Sequence, residues 1–363
     1  MYFEKLLYKG FGEEQIGPIK LNKGLNVIFG RNAVGKTRTL NVMFNLGQMH
    51  KNPRLLRKGV WNINLRDSKR QFFYELNVVQ SEKTPIVEQD SLYGGEVGEN
   101  LIFDRNKQLL LNETTNETER YSPISNELSV YYAKDTEKHK TVLEIKDYFS
   151  QFKRLDYSLT KVITQSINPE SGPLTVSPDG TNLDAAILNI MKGYPNAFEN
   201  IKRSFREIFP HIEDISPGML SVANAKLETI FIKEDYLDKA YPWLDASSGM
   251  IKILALLSIL YSPVEKSLIL IDELENSLDY EGISRISDVI AEIGSEKQVI
   301  IATHSPILAN AFNLKDWIVC KRQDRDTKFY NVVIDNKLKS FLNDNYENYS
   351  LYIQDLLHLE EQK

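Results

Sequence analysis

Three short runs along the chain are apolar almost without interruption: 25–29, 267–271 and 298–302. Runs of that length with no polar alternation predict strands of a parallel sheet, covered on both faces. Residues 251–260 form a longer apolar stretch of helical length that carries one charge, Lys252. Elsewhere the spacing is amphipathic. Apolar residues at Leu183, Ile187, Ile190 and Met191, then at Phe198, Ile201, Phe205 and Ile208, predict two helices broken at Gly193-Tyr194-Pro195. Residues 1–80 read as strands around the first apolar run and the helix after it. Residues 81–120 read as a turn-rich hairpin region, polar and without a core pattern over 112–120. A further strand is expected over 126–133. Residues 143–209 are expected to be largely helical, with turns at 169–173 and 178–180, and a terminal helix is expected from Leu338 onward. No sustained heptad pattern fills the interval between Gly35 and Ser247, so long coiled-coil arms are not expected.

Composition narrows the class. A chain of 363 residues with 42% hydrophobic content can bury a substantial core as one large or two modest domains. Cys320 is the single cysteine, which excludes an internal disulfide and a paired-cysteine zinc site. The first seven residues lack the apolar core of a signal peptide, and the apolar helix near 250–261 is too short to span a bilayer. A cytoplasmic protein without membrane insertion is therefore expected. The net charge of −6 argues against a globally basic coat, though not against a local basic patch.

The chemistry begins directly after the first apolar run. Gly30-Arg31-Asn32-Ala33-Val34-Gly35-Lys36-Thr37 is a complete G-x-x-x-x-G-K-T phosphate loop between a strand-like run and a helix-compatible stretch. Its glycines permit a backbone whose N–H groups point at an anion, and the following helix adds its positive dipole end. Lys36 would reach the β- and γ-phosphates, and the Thr37 hydroxyl would hold Mg²⁺. The 267–271 run ends in Asp272-Glu273. Two adjacent carboxylates there suit a metal-nucleotide, with Asp272 taking metal-bound water and Glu273 polarising the attacking water. The 298–302 run leads to Thr303-His304-Ser305-Pro306, where His304 could meet a γ-phosphate or simply cap a turn. Ala246-Ser247-Ser248-Gly249-Met250 opens the apolar helix about twenty residues before the acidic pair. It reads as a second anion site or as an ordinary helix cap.

This ordered set resembles the ABC-type AAA ATPases of the RecF/SMC-like group and is similar to the compact ATPases that include OLD-type ATPase domains. The resemblance rests on the phosphate loop, the signature-like Ser247-Ser248-Gly249, the Walker B pair Asp272-Glu273 and the switch His304. Leu278-Asp279 falls where such proteins carry a D-loop, and residues 177–183 resemble a stretch found ahead of their helical lobe. Ala246, Ser248 and Met250 stand where transporters carry Leu, Gly and Gln, which fits the SMC-like side. Leu274 stands where a proline is usual. The resemblance implies an α/β fold, a P-loop NTPase head of ABC/SMC type with a mixed central sheet, a β subdomain and an inserted helical lobe. Residues 1–135 and 241–345 would be the two parts of the head, 136–240 the lobe and 346–363 a terminal helix or tail. It also implies ATP and Mg²⁺ as ligands and a homodimer around two ATP molecules, in which Ser247 of one protomer faces Lys36 and Glu273 of the other. About sixty residues follow His304, so the nuclease domain fused to many OLD-type relatives is not expected here.

Three functions follow as expectations. The first is an ATPase in DNA repair or in defence against phage or plasmid DNA. The second is a regulatory ATP switch for a separately encoded effector such as a nuclease. The third is a transporter subunit, against which the signature departures speak. For duplex DNA the candidate surface is Lys51, Arg54, Arg57, Lys58, Arg66, Lys69 and Arg70, opposed by Asp67 and accompanied by Trp61 and Phe72. A solvated basic face is the alternative.

Overall fold

The computed structural model describes residues 1–10, 12–82, 84–95, 100–155, 175–222, 225–263, 268–276 and 278–332. The expected turn at 169–173 and the helix from Leu338 lie outside the described residues. The chain opens with strands β1 (Tyr2–Lys9), β2 (Gln15–Lys20) and β3 (Leu25–Phe29), then helix α1 (Lys36–Lys51). Strands β4 (Gly59–Arg66), β5 (Gln71–Gln80), β6 (Pro85–Gly95), β7 (Leu101–Asp104), β8 (Leu109–Asn112) and β9 (Glu117–Arg120) precede helix α2 (Lys140–Ser150). Next come β10 (Lys153–Leu155), helices α3 (Leu183–Gly193) and α4 (Pro195–Ile208), and strands β11 (Ile212–Val222), β12 (Ala225–Glu234) and β13 (Tyr241–Pro242). Then follow α5 (Ser248–Leu260), β14 (Leu268–Asp272), α6 (Tyr280–Ile293) and β15 (Gln298–Thr303). The short α7 (Pro306–Asn310), β16 (Trp317–Gln323) and β17 (Asp326–Asn331) complete the described part.

Two compact units divide these elements, the first holding 1–152 with 315–332 and the second 153–263 with 269–314. In the first, the strand order is β3-β16-β17-β2-β1-β4-β5-β6-β7-β8-β9. Strand β16 runs parallel to β3, and β17 parallel to β2, while β1, β2, β4, β5 and β6 pair antiparallel, so the sheet is mixed. All five residues of β3 are buried, whereas β4 and β5 alternate, as one-sided strands should. Helices α1 and α2 share an aromatic core in which the His50 ring lies 4.4 Å from Phe149 and 5.6 Å from Tyr74. Burial pulls His50 down to about 4, so it serves the core as a neutral ring whose Nδ1 bonds the Leu46 carbonyl at 2.8 Å. The strand expected at 126–133 is not formed. Ser129–Tyr131 is a 3₁₀ turn, with Leu128, Ser129 and Val130 all buried in succession. That turn aims the Tyr131 hydroxyl at the terminal carbonyls of α1, Met49 O at 2.9 Å and His50 O at 2.8 Å.

In the second unit β14 stands between β10 and β15, and the hairpin β11–β12 with β13 forms a separate three-stranded sheet. Every residue of β14 and β15 is buried. The break between α3 and α4 falls at Tyr194, with Pro195 in the first turn of α4 and Phe198, Ile201, Phe205 and Ile208 on its buried face. Helix α5 is buried over Gly249–Leu260, as an apolar helix inside a domain must be.

Candidate functional site

The phosphate loop has the backbone its sequence demands. Ala33 lies at φ 65° and Gly35 at φ 107°, left-handed residues whose alternation turns successive N–H groups inward as an anion nest. A side chain at Gly30 would meet the Cys320 carbonyl at 2.4 Å, and one at Gly35 would meet Thr327 Oγ1 at 2.4 Å. Strands β16 and β17 are therefore the floor on which the loop rests. Thr327 Oγ1 donates to the Val34 carbonyl at 3.2 Å, fixing the loop from 293 residues away. Arg31, Asn32, Ala33 and Thr37 are exposed, while Lys36 is buried with its ammonium donating to Gly30 O at 2.8 Å and Arg31 O at 2.6 Å. Thr37 thus presents a free-standing hydroxyl in the first turn of α1, beside the N–H groups and dipole that attract anions. Burial pushes the Cys320 thiol up to about 12, leaving it unreactive beneath the loop.

In the second unit β14 delivers Asp272 at its last position and Glu273 in the turn that follows. Asp272 is nearly buried, with the Arg154 guanidinium of β10 at 3.9 Å. Glu273 adopts φ 45°, a left-handed conformation that costs a non-glycine residue on the order of 1 kcal/mol and persists where the surroundings enforce it. Three contacts enforce it here. Its N–H donates to Ala302 O at 3.0 Å, its carbonyl accepts from Lys252 Nζ at 2.7 Å, and its Oε2 accepts from Asn276 Nδ2 at 2.7 Å. His304, at the end of β15, is brought to the same place, with Nδ1 at 3.9 Å from Glu273 Oε1 and 3.3 Å from Glu275 Oε1. Glu275 is almost buried and saturated on one oxygen, which accepts from Thr303 Oγ1 at 2.7 Å and from the His304 and Ser305 N–H groups at 3.2 Å each. Glu273 keeps a third of its side chain exposed. Of the two glutamates, it is the one with a carboxylate oxygen available to solvent.

Ser247 is the N-cap of α5, its Oγ accepting from the Met250 N–H at 3.2 Å. Ser247 and Ser248 are exposed and Gly249 is buried, so the cap and an outward-facing helix start coincide. Asp279 likewise caps α6 through the Gly282 N–H at 2.7 Å.

Four contributors escaped the sequence reading: Lys252, Glu275, Asn276 and Thr327. Lys252 carried a signal, as the lone charge in an apolar helix, and Glu275 stood two residues past the acidic pair. Thr327 carried none, because only the tertiary fold brings it under Val34. Among the described residues no three His, Cys, Asp or Glu side chains gather as a metal cage. Taken separately, Thr37 in the first unit offers an exposed hydroxyl and Asp272 in the second a carboxylate, both oxygen donors of the kind Mg²⁺ takes.

The basic run divides. Lys51, Arg54, Arg57 and Lys58 are exposed around the end of α1 and form no ion pair among the described residues. Arg66, Lys69 and Arg70 lie at the far end of β4, about 26 Å along an eight-residue strand. There Arg66 pairs with Glu4, and Arg70 with Asp67 and Glu144. Trp61 and Phe72 are buried core residues, and of the two it is Phe72 that meets the basic run, its ring centroid 5.3 Å from the Arg70 guanidinium carbon.

The family model described as "AAA domain, putative AbiEii toxin, Type IV TA system" matches residues 25–310. The chain belongs to this AAA family. It is an ATPase. No curated protein matches. Among solved structures, an SMC head bound to the C-winged helix domain of ScpA is similar at 14% identity, covering 93% of this chain and 100% of that one with a TM-score of 0.50. That likeness shows the fold, an α/β head of SMC type. The SMC head domain from Thermotoga maritima is 13% identical over 92% of this chain and 100% of that one, with a TM-score of 0.45. The Smc head with an extended coiled coil from Pyrococcus furiosus, bound to the C-terminal domain of ScpA, is 13% identical over 95% and 100%, with a TM-score of 0.46. No helix among the described residues of the AAA domain is long and apolar enough to cross a membrane.

Proposed function

We propose that the protein is an ATP-timed clamp: two copies close head to tail around two ATP molecules and part after hydrolysis. The observation that carries this reading is the left-handed Glu273, held open to solvent by Lys252, Asn276 and Ala302 beside His304. Such a carboxylate suits a general base that takes a proton from the water attacking the γ-phosphorus. The phosphate loop and Lys36 hold the triphosphate, and His304 meets its γ-phosphate. Thr37 and Asp272 would hold Mg²⁺, whose chemistry when bound is to neutralise charge on the β- and γ-phosphates. Ser247 and Ser248, exposed at the start of α5, and the buried Gly249 behind them would face the nucleotide of the other copy. A ligand gripped by both copies stabilises the dimer by mass action.

Sedimentation mass with a non-hydrolysable ATP analogue and magnesium tests the clamp. The unaltered chain is expected to double in mass. Ser248→Arg, which leaves the Ser247 cap bond in place, is expected to stay monomeric with ATP affinity within about twofold of the unaltered chain. A chain that saturates with nucleotide and keeps its monomer mass would sink the clamp.

Duplex DNA is the proposed cargo, in repair or in defence against invading DNA. The surface is Lys51, Arg54, Arg57 and Lys58, four exposed cations around one helix end with no ion pair among the described residues. Reversing Arg54 and Arg57 to Glu is expected to weaken DNA binding at least tenfold and to flatten the log affinity against log salt slope by about 2, since each phosphate contact contributes about 0.9. Unaltered slope and affinity would exclude this surface. The second reading is a switch for a separately encoded partner. The family description, which names a toxin of a type IV TA system, favours it, and so does the SMC head bound to the C-winged helix domain of ScpA. An ATPase indifferent to DNA but stimulated by the product of a neighbouring gene would select it.

A further inference from the structure

Helix α5 is buried from Met250 to Leu260 and carries a single charge there, Lys252, a residue only 3% exposed. A buried charge is costly to desolvate, and replacing one by an apolar side chain of similar volume is often neutral or stabilising. Lys252 is therefore poorly explained by stability. Burial pulls it down to about 8 against the opposing attraction of Glu275, Glu273 and Asp272. Its geometry explains it better. Nζ reaches out of α5 to two carbonyls of the turn after β14, Glu273 O at 2.7 Å and Asn276 O at 3.2 Å. The same turn is closed by Asn276 N–H donating to Glu273 O at 3.2 Å and by Asn276 Nδ2 on the Glu273 carboxylate. Five residues, little more than one helical turn, separate Lys252 from Ser247, the cap at the start of α5.

We infer that Lys252 is a positioning residue that ties the signature end of α5 to the conformation of Glu273, so that engagement of one copy's Ser247–Ser248 face aims that copy's own base. The inference rests on Glu273 acting as that base. An ammonium bonded to the Glu273 carbonyl helps to hold its φ in the left-handed region, and φ decides where the carboxylate points. A small shift of α5 along its axis reaches the Glu273 backbone through one rigid link, whereas an apolar residue at 252 would transmit packing but no directional pull. In a dimer each copy's α5 start would touch the other's nucleotide. The link would then make hydrolysis at one site depend on occupation of the other.

The test uses the full chain with ATP and magnesium. Lys252→Met keeps length and volume and loses the charge. It is expected to melt within a few degrees of the unaltered chain and to bind ATP within about twofold, while kcat falls about 20-fold with KM nearly unchanged. If Lys252→Met does not fold, Lys252→Leu, which likewise removes the donor, is read the same way. Asn276→Ala should also lower kcat, and the double variant should fall no further than the worse single one, since both residues aim one carboxylate. A kcat for Lys252→Met within twofold of the unaltered chain overturns the inference. So does a loss spread equally over ATP affinity, kcat and melting temperature, or strict additivity with Asn276→Ala. Glu273→Gln, measured alongside, separates the two readings. If it retains turnover, the base assignment fails. If it is inactive while Lys252→Met is normal, only the link fails.

Discussion

Lys36→Ala is expected to lose about two orders of magnitude in ATP affinity while the chain stays folded. The Lys36 ammonium is buried against the loop and donates to Gly30 O and Arg31 O at 2.8 and 2.6 Å. It is thus already aimed across the mouth of the nest formed by Ala33 and Gly35. Exchanging two neutral carbonyl acceptors for phosphate oxygens gives the ammonium anionic partners, and direct ion–ion attraction is added to bonds that were charge-assisted on the donor side alone. Removing the cation forfeits about 3 kcal/mol, which is roughly 150-fold in affinity. The loop N–H groups and the α1 dipole remain in Lys36→Ala, so residual binding in the high micromolar range is expected rather than none. Alanine suits the first helical position, and the penalty for the two orphaned carbonyls is moderate because the neighbouring Arg31 is exposed to water. Calorimetry with ATP and magnesium checks the prediction. Unchanged affinity would remove the loop from the nucleotide site.

What the sequence disclosed depended on whether the deciding interaction was local. Continuous apolar runs were enough for β3, β14 and β15, because a strand covered on both faces leaves no other pattern. Gly193-Tyr194-Pro195 was enough for the α3–α4 break, because proline cannot continue a helix but can start one. Strand β11 stayed hidden for the opposite reason. It carries Pro217 and Gly218, residues that argue against a strand, yet Pro217 pairs with Ile230, and Gly218 leaves room for the Phe231 ring. The 126–133 segment had the composition of a strand, but its role is to turn and plug the end of α1 through Tyr131. The basic run looked continuous because sequence carries no direction, and β4 then carried half of it to the opposite end of a strand. The phosphate loop and the acidic pair were legible as motifs. Their supports were not, since Thr327 under Val34 and Lys252 on Glu273 exist only after folding.

Glu273→Gln is expected to lower turnover by at least 100-fold while leaving ATP affinity within a few-fold, and to lengthen the life of the nucleotide-bound dimer. General-base catalysis is worth about 10²–10⁴ in rate, and an amide of the same shape cannot take a proton from water. The substitution is conservative where folding is concerned. The glutamine carbonyl can still accept from Asn276 Nδ2, the backbone bonds to Ala302 and Lys252 do not involve the side chain, and a third of that side chain already meets solvent. Glu275 cannot replace it. One of its oxygens is committed to Thr303, His304 and Ser305, and the side chain is almost buried, so an attacking water has no approach to it equal to that offered by Glu273. Single-turnover measurement with radiolabelled ATP separates loss of the chemical step from loss of binding. Turnover within twofold of the unaltered chain would mean that the carboxylate at 273 takes no proton in the reaction. The strained backbone there would then need another explanation, because a left-handed glutamate held by three separate contacts is an improbable product of packing alone.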